Sequence, residues 1–257
     1  MKECIINKHN VVLYDSIDEL PMLRFHKYNK MLLVDAGVGS DLSDFDRHIE
    51  KVIRYLNSPT PNMATVELEN MRQNIYFIQS EVSPRHLAFA VLVKSINGKP
   101  RNDLSDDGLQ QTMSLFKDVA NSEITAHLEA VKKKIDDELR SYFPRLFDDA
   151  TLKEYYDKLK QRTIVVLRTI IDGRATEADA KEIDDITAEL ITYFNPQTFT
   201  GSESVEIRHD RQFENMCLIL SQNLHVDPKK FTVLEYYNAF EYIKEQAKKA
   251  NKQKKVK

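Results

Sequence analysis

Glycine and proline are scarce along this chain, and their scarcity limits the folds that it can adopt. The 257 residues include 6 glycines and 8 prolines. Multi-stranded β folds need many turns, which these two residues commonly supply. Apolar residues also recur at helical spacing, most clearly at Ile124, Leu128, Val131, Ile135, Leu139 and Tyr142. The sequence therefore predicts an all-α bundle of about eight to ten helices with a short N-terminal arm containing minor β structure, at residues 10–14.

Capping residues and breakers divide this pattern into separate helices. The predicted helices cover residues 42–56, 61–82, 87–96, 106–120, 122–143, 151–171, 177–194, 207–224 and 232–249. Residues 22–34 fit a helix or an extended segment. Residues 87–96 could also form a buried strand, but a Ser-Pro start and an Asn-Gly stop favour a helix. Because residues 164–171 are apolar nearly all round, we expect them to form the centre of a C-terminal core.

These boundaries predict four parts of the chain: an N-terminal arm (1–40), a helical body (41–145), a C-terminal helical subdomain packed on it (146–250) and a basic tail (251–257).

The net charge is −3, yet seven lysines and one glutamate follow residue 243, so this segment carries +6 and the rest −9. The lysines could contact DNA or an acidic protein surface, or belong to a solvated helix end. Apart from Lys244 they are Lys248, Lys249, Lys252, Lys254, Lys255 and Lys257.

The stretch KMLLVDAGVGSDLSDFD, residues 30–46, most resembles a chemical site. It lacks the lysine and spacing of a phosphate-binding P-loop, and it lacks the glycine and glutamate that a calcium loop needs at positions six and twelve. The simpler interpretation is a glycine turn followed by Ser40, Asp41 or Ser43 capping the next helix. A nucleotide- or metal-dependent enzyme that uses the loop from Asp35 to Asp46 is the less favoured alternative.

Other chemical patterns are incomplete. The 7 histidines show no His-x3-His pair and no His-Glu-x-x-His motif, and no Gly-x-Ser-x-Gly elbow occurs. Two cysteines, Cys4 and Cys217, are too few for a disulfide framework. We therefore expect a non-enzymatic protein without catalytic residues, cofactor or metal. The apolar runs are far shorter than the roughly 20 residues of a membrane span, so no membrane segment is expected.

Aromatic side chains crowd the final helix and the N-terminal arm. Those of the final helix cannot all face one core, and tyrosine is enriched at protein interfaces. The predicted interface residues are Leu20, Phe25, Tyr28, Tyr236, Tyr237 and Tyr242.

Five short stretches of the N-terminal half resemble sequences of a known group of proteins. They are LPMLRFHKYN (20–29), LLVDAGVGS (32–40), ELEN (67–70), SINGK (95–99) and DLS (103–105). Together they span about residues 13–110 and resemble virion proteins of tailed bacteriophages, particularly the crAss-like group. FTVLEYY, from residue 231, resembles small helical phage tail or assembly factors.

The resemblance implies a ring or connector component of the portal vertex or tail, made in the host cytoplasm and located in the virion. Such a protein contacts copies of itself and other virion proteins through surfaces, so no catalytic residues are implied. The alternative is a helical assembly factor or chaperone that is absent from the mature particle.

Overall fold

The computed structural model describes residues 1–80, 82–147, 150–174, 176–193 and 196–254. The helices in these ranges are α1 (Met22–Gly37), α2 (Leu42–Leu56), α3 (Met63–Gln79), α4 (Pro84–Leu92), α5 (Asp106–Ser114), α6 (Asn121–Tyr142), α7 (Ala150–Ile171), α8 (Glu177–Tyr193), α9 (Val205–Leu224) and α10 (Val233–Lys254). The strands are β1 (Lys2–Ile6), β2 (His9–Leu13), β3 (Val93–Ile96) and β4 (Lys99–Pro100). The predicted all-α bundle with minor β structure near the N-terminus is confirmed.

The four strands form one small antiparallel sheet in the order β1-β2-β3-β4. Two-residue turns join β1 to β2 and β3 to β4. Asn7 and Lys8 have φ values of 45° and 67° in the first turn, and Asn97 and Gly98 have 50° and 75° in the second. Two consecutive positive φ values suit the twist of an antiparallel hairpin. Asn97 and Gly98 therefore make a hairpin turn, where the sequence predicted a helix stop.

The predicted helix at residues 87–96 is wrong over its last four residues, where α4 gives way to β3. The buried side chain of Arg24 supports this change. Its Nη1 donates to the carbonyl oxygens of Val91 (2.7 Å) and Val93 (3.1 Å), and its Nη2 donates to that of Arg101. Carbonyls left free at a helix end need such partners when they are buried. A distant arginine on α1 thus helps the chain to leave the helix and pair with β2.

The main core lies where the sheet, α1, α4, α6, α9 and α10 meet. The apolar side chains of α6 that were predicted from periodicity are all buried there except Tyr142, which is exposed. The apolar side chains that α4 and α6 contribute to this core are Ala88, Phe89, Ala90, Val91, Leu92, Ile124, Leu128, Val131, Ile135 and Leu139.

Residues 1–40 form part of this core together with the end of the chain. The backbone N–H of Met22 donates to the carbonyl of Phe231 (2.8 Å), and the N–H of Val233 donates to that of Leu20 (3.0 Å). These bonds fix the starts of α1 and α10 to each other. The starts of α1 and α10 therefore belong to one core.

Two further predicted helices are shorter in the structure. The helix predicted at residues 106–120 ends at Ser114, and turns follow. These turns carry Phe116 into the core, where its ring meets that of Phe89 edge-on at 5.8 Å. The helix predicted at residues 61–82 covers Met63–Gln79.

The prediction that residues 164–171 form the centre of a C-terminal core is wrong. Val165 is buried, but Ile164, Leu167 and Ile171 are exposed. Helices α7 and α8 pack against each other, so one side of α7 is covered and the other is left to solvent. The predicted end of α8, at residue 194, lies outside the described residues.

A smaller group of buried side chains holds the segment before α9 against the end of α1. Phe199 packs with Val34, Val38 and Val205. The Phe199 ring lies so close to the Cα of Gly37 that a side chain at this position would collide with it. None of the helices in the described ranges is long and apolar enough to span a bilayer.

Candidate interaction surfaces

Helices α2 and α3 pack against each other through polar side chains. His48 is fully buried, with Nδ1 2.7 Å from Oε2 of Glu67 and Nε2 2.8 Å from the carbonyl oxygen of Val38. Asn74 Nδ2 donates to the same carbonyl (3.1 Å), and Lys51 Nζ lies 3.4 Å from Oε1 of Glu67. Because a carbonyl only accepts, His48 Nε2 must carry a proton. The other ring nitrogen, Nδ1, faces the side chain of Glu67. We call this group the polar seam.

The opposite side of α2 is apolar and exposed. Leu42, Ile49, Ile53 and Leu56 are 70%, 39%, 54% and 60% exposed. At about 100° per residue, these four positions lie within about 60° of one another around the helix axis. The buried residues of α2, Asp44, His48 and Tyr55, lie on the opposite face. An amphipathic helix normally buries its apolar side, so the orientation of α2 is inverted. We call Leu42, Ile49, Ile53 and Leu56 the α2 stripe.

Helix α7 carries a second exposed apolar stripe. Ile164, Leu167 and Ile171 are 56%, 50% and 82% exposed. Their spacing of three and four residues places them within about 60° around the helix. We call these three residues the α7 stripe. Single exposed apolar residues are common on protein surfaces, whereas apolar side chains aligned in a row form a contiguous patch that a partner can cover.

Both stripes point away from a cleft that separates their helices. Lys51 and Tyr55 of α2 and Leu159 and Arg162 of α7 line this cleft. At about 100° per residue, the cleft-lining positions lie on the opposite faces of these helices from the stripes. The two stripes are therefore different outward-facing surfaces of the same chain.

The aspartates of residues 30–46 make local structural contacts. Asp41, one of the three predicted capping candidates, caps α2 by accepting from the backbone N–H of Asp44 (2.9 Å). Asp44 Oδ2 accepts from the N–H of Ser40 (2.8 Å). Asp35 Oδ2 accepts from Arg85 Nε at 3.1 Å, while burial raises the pKa of this carboxyl. Asp46 is exposed. In the described parts of the chain, no group of three or more His, Cys, Asp or Glu side chains is placed to hold a metal ion.

Most of the predicted interface residues lie in the core, which corrects that assignment. Leu20, Phe25, Tyr28 and Tyr236 are at most 5% exposed. Tyr237 packs against the core, where its ring contacts those of Phe25 (6.4 Å) and Phe143 (5.4 Å). These aromatic side chains fill the space between α1, α6 and α10. Their abundance is therefore explained by packing within the core and does not indicate an exposed interface. Tyr242 is 54% exposed.

The lysine-rich end continues α10 to Lys254, five residues beyond the predicted helix end. Lys248 and Lys249 are exposed. Lys252 lies within the same helix, whereas Lys255 and Lys257 lie outside the described residues. The two described side chains are therefore available for contact with an anionic partner.

No protein-family model, no curated protein and no solved structure matches this chain.

Proposed function

We propose that this chain is a non-enzymatic structural protein that assembles with copies of itself and with other proteins, as a ring or connector component of a tailed-bacteriophage virion. The observation that carries the proposal is the inverted orientation of α2, which buries Asp44 and His48 and exposes Ile49 and Ile53. Covering those apolar side chains with a partner is favourable, at about 25 cal/mol per Å². The position at the portal vertex or tail, and the origin in the host cytoplasm, rest on the resemblance in sequence.

Two different stripes on one chain favour head-to-tail contacts. A ring forms when one surface of each subunit binds a different surface of the next and the rotation closes. The α2 stripe and the α7 stripe provide two apolar rows of comparable character on separate helices. We propose that the α7 stripe of one subunit packs along the α2 stripe of its neighbour.

The size of the stripes limits what each can contribute. The α2 stripe runs over the fifteen residues of α2, from Leu42 to Leu56, and the rise of 1.5 Å per residue places its two ends about 21 Å apart. With a width of roughly 10 Å, it covers on the order of 200 Å², about a quarter of what one partner buries in a standard interface. The stripe would thus form the apolar centre of an interface, with surrounding polar residues completing it.

The test uses one variant for each surface. Ile49→Asp/Ile53→Asp places two carboxylates on the α2 stripe, and Leu167→Asp/Ile171→Asp does the same on the α7 stripe. We expect the wild type to form one closed oligomer by mass photometry and sedimentation velocity, and each variant alone to be monomeric. An equal mixture of the two variants should give a dimer, because one intact pair of complementary stripes remains between them.

Tyr142→Asp is the matched control, because Tyr142 is 62% exposed but lies on α6, which carries neither stripe. This variant should assemble like the wild type. A wild type that remains monomeric over the micromolar range would contradict the proposal. Oligomers that survive in both stripe variants would show that other surfaces carry assembly.

The assembly-factor alternative predicts the same solution behaviour but a different fate. A ring or connector component should be present in purified particles in several copies per particle, measurable by quantitative mass spectrometry, whereas an assembly factor should be absent. An enzyme that uses residues 35–46 has less support, because Asp35 and Asp41 are already engaged by Arg85 and by the start of α2. Contact of Lys248 and Lys249 with DNA or an acidic protein surface remains part of the proposal.

A further inference from the structure

The cleft between α2 and α7 is large enough to hold a small organic molecule. Its volume is about 630 Å³, within the range typical of ligand sites. Helices α1, α2 and α3 form one side, α7 and α8 form the other, and the segment before α9 closes one end. One part of its lining is apolar and includes Leu33, Gly37, Leu159, Leu190 and Phe199.

The charged lining of the cleft is mainly cationic. Lys51, Arg54 and Arg162 line it, against one carboxylate, Glu67. Glu67 is already engaged by His48 in the polar seam and lies 3.4 Å from Lys51. If the charge of Glu67 offsets that of Lys51, the positive charges of Arg54 and Arg162 still face the cleft.

Arg162 has hydrogen-bonding capacity to spare. Its Nε donates to Thr187 Oγ1 at 2.8 Å. Within the described ranges, no carboxylate lies within 4.0 Å of its guanidinium. The two terminal nitrogens are therefore free to bind a planar or tetrahedral anion, for which the guanidinium fork is well suited.

A buried amide in the lining is a second, independent observation that favours a ligand site. Asn70 lines it and is 2% exposed. Its Nδ2 donates to the carbonyl of Gln197 at 3.0 Å, but no donor reaches its Oδ1 from any described residue. Buried polar atoms are nearly always paired, so an unpaired oxygen marks a place for a donor from a ligand or water.

We propose that this cleft binds a small organic anion, with a phosphate or carboxylate group held by Arg162 together with Lys51 or Arg54, and an apolar body lying against Leu33 and Phe199. A hydroxyl or amine on the same molecule would donate to Asn70. The excess of cationic groups disfavours cationic ligands, and the apolar lining disfavours a free inorganic ion. This site goes beyond the proposed assembly role and does not depend on it.

The test is isothermal titration calorimetry of the full chain with four probes: phenyl phosphate, benzoate, inorganic phosphate and benzyl alcohol. We expect at least one of the two aromatic anions to bind about tenfold or more tightly than both inorganic phosphate and benzyl alcohol. Only an aromatic anion combines a negative group for the cationic side chains with an apolar ring for the apolar lining. Arg162→Gln should weaken that binding by about tenfold or more. Lys160→Gln, an exposed position on the same helix that does not line the cleft, should leave it unchanged.

If Arg162→Gln proves unfolded by circular dichroism, Arg54→Gln takes its place, with a weakening of several-fold expected because Arg54 is also near Glu50. Binding of phenyl phosphate but not benzoate, or the reverse, assigns the head group and supports the site. Failure of both aromatic anions to bind at millimolar concentration overturns the proposal. Binding that is equally strong in the wild type and in the arginine variant overturns it as well.

Discussion

The contact between Gly37 and Phe199 allows a stability prediction with a defined sign. In Gly37→Ala, the new Cβ would lie 2.1 Å from Cζ and 2.3 Å from Cε2 of the Phe199 ring. The ring is 5% exposed and enclosed by Val34, Val38 and Val205, so it cannot move aside without losing those contacts. Overpacking of this kind costs about 1–3 kcal/mol.

The same substitution brings a smaller gain. Alanine is favoured over glycine by up to about 1 kcal/mol in a helix interior, and by less at the last residue of α1. We therefore expect Gly37→Ala to lower the free energy of unfolding by about 1–2 kcal/mol. Phe199→Ala alone should cost about 3 kcal/mol, the lower end for a buried phenylalanine, because one side of the ring faces the cleft.

The double variant Gly37→Ala/Phe199→Ala tests whether the two substitutions act through the same contact. Once the ring is removed, alanine at position 37 no longer collides with anything from residue 199, so its effect should become neutral or stabilising. The coupling energy between the two sites should thus be on the order of 2 kcal/mol. Urea unfolding followed by circular dichroism measures all four proteins, provided that the m values agree. Additive effects, or a Gly37→Ala protein as stable as the wild type, would show that the ring does not pack on α1.

Three further predictions concern buried polar groups. Glu67→Gln should cost less than about 1 kcal/mol of unfolding free energy, because the glutamine amide can donate to Nδ1 of His48. Glu67→Leu leaves that Nδ1 atom buried without a partner and should cost about 1–3 kcal/mol more; urea unfolding distinguishes the two variants. Burial lowers the pKa of His26 below 6.5; this effect outweighs the contact with Asp210, which raises the pKa, and nearby His209 and Lys30 lower it further. As the pH falls below about 6.5, the unfolded chain therefore binds the proton first, and the free energy of unfolding decreases. His26→Gln should reduce this dependence of stability on pH in thermal scans at pH 7.5 and 5.5, and an unchanged dependence would contradict the prediction. Arg24→Met should lower the free energy of unfolding by about 2 kcal/mol or more, since buried carbonyls at the end of α4 lose their donor; retention of wild-type stability in urea would refute this role.

Local patterns predicted the helices whose packing is simple. Helix α6 has one apolar row and one core to face, so periodicity gave both its extent and its buried side. Residues 93–96 show the limit of this approach. Their strand depends on β2, about 80 residues earlier, and on Arg24, and neither is visible within the local window.

The candidate surfaces were harder to predict, for a physical reason. Apolar spacing in residues 42–56 predicted a helix correctly, but not which side of it faces inward. The side chains of His48 and Glu67 satisfy each other across 19 residues of sequence, and this pairing makes a polar interior tolerable. One available signal was the histidine at the centre of the polar face of α2, opposite the apolar row. For α10, the opposite error arose because Tyr236 and Tyr237 fill a core rather than a surface.

The hydrogen bonds that join residues 20–22 to residues 231–233 have a consequence for synthesis on the ribosome. The two segments are about 210 residues apart, so at roughly 5–20 residues per second the later one emerges about 10–40 s after the earlier one. During that interval the apolar side chains of α1 that finally face α10, such as Phe25, have no cover. The core of the nascent chain is therefore completed only after α10 has been synthesised. A pause or truncation before residue 231 leaves apolar side chains of α1 exposed, where they can aggregate or bind a chaperone.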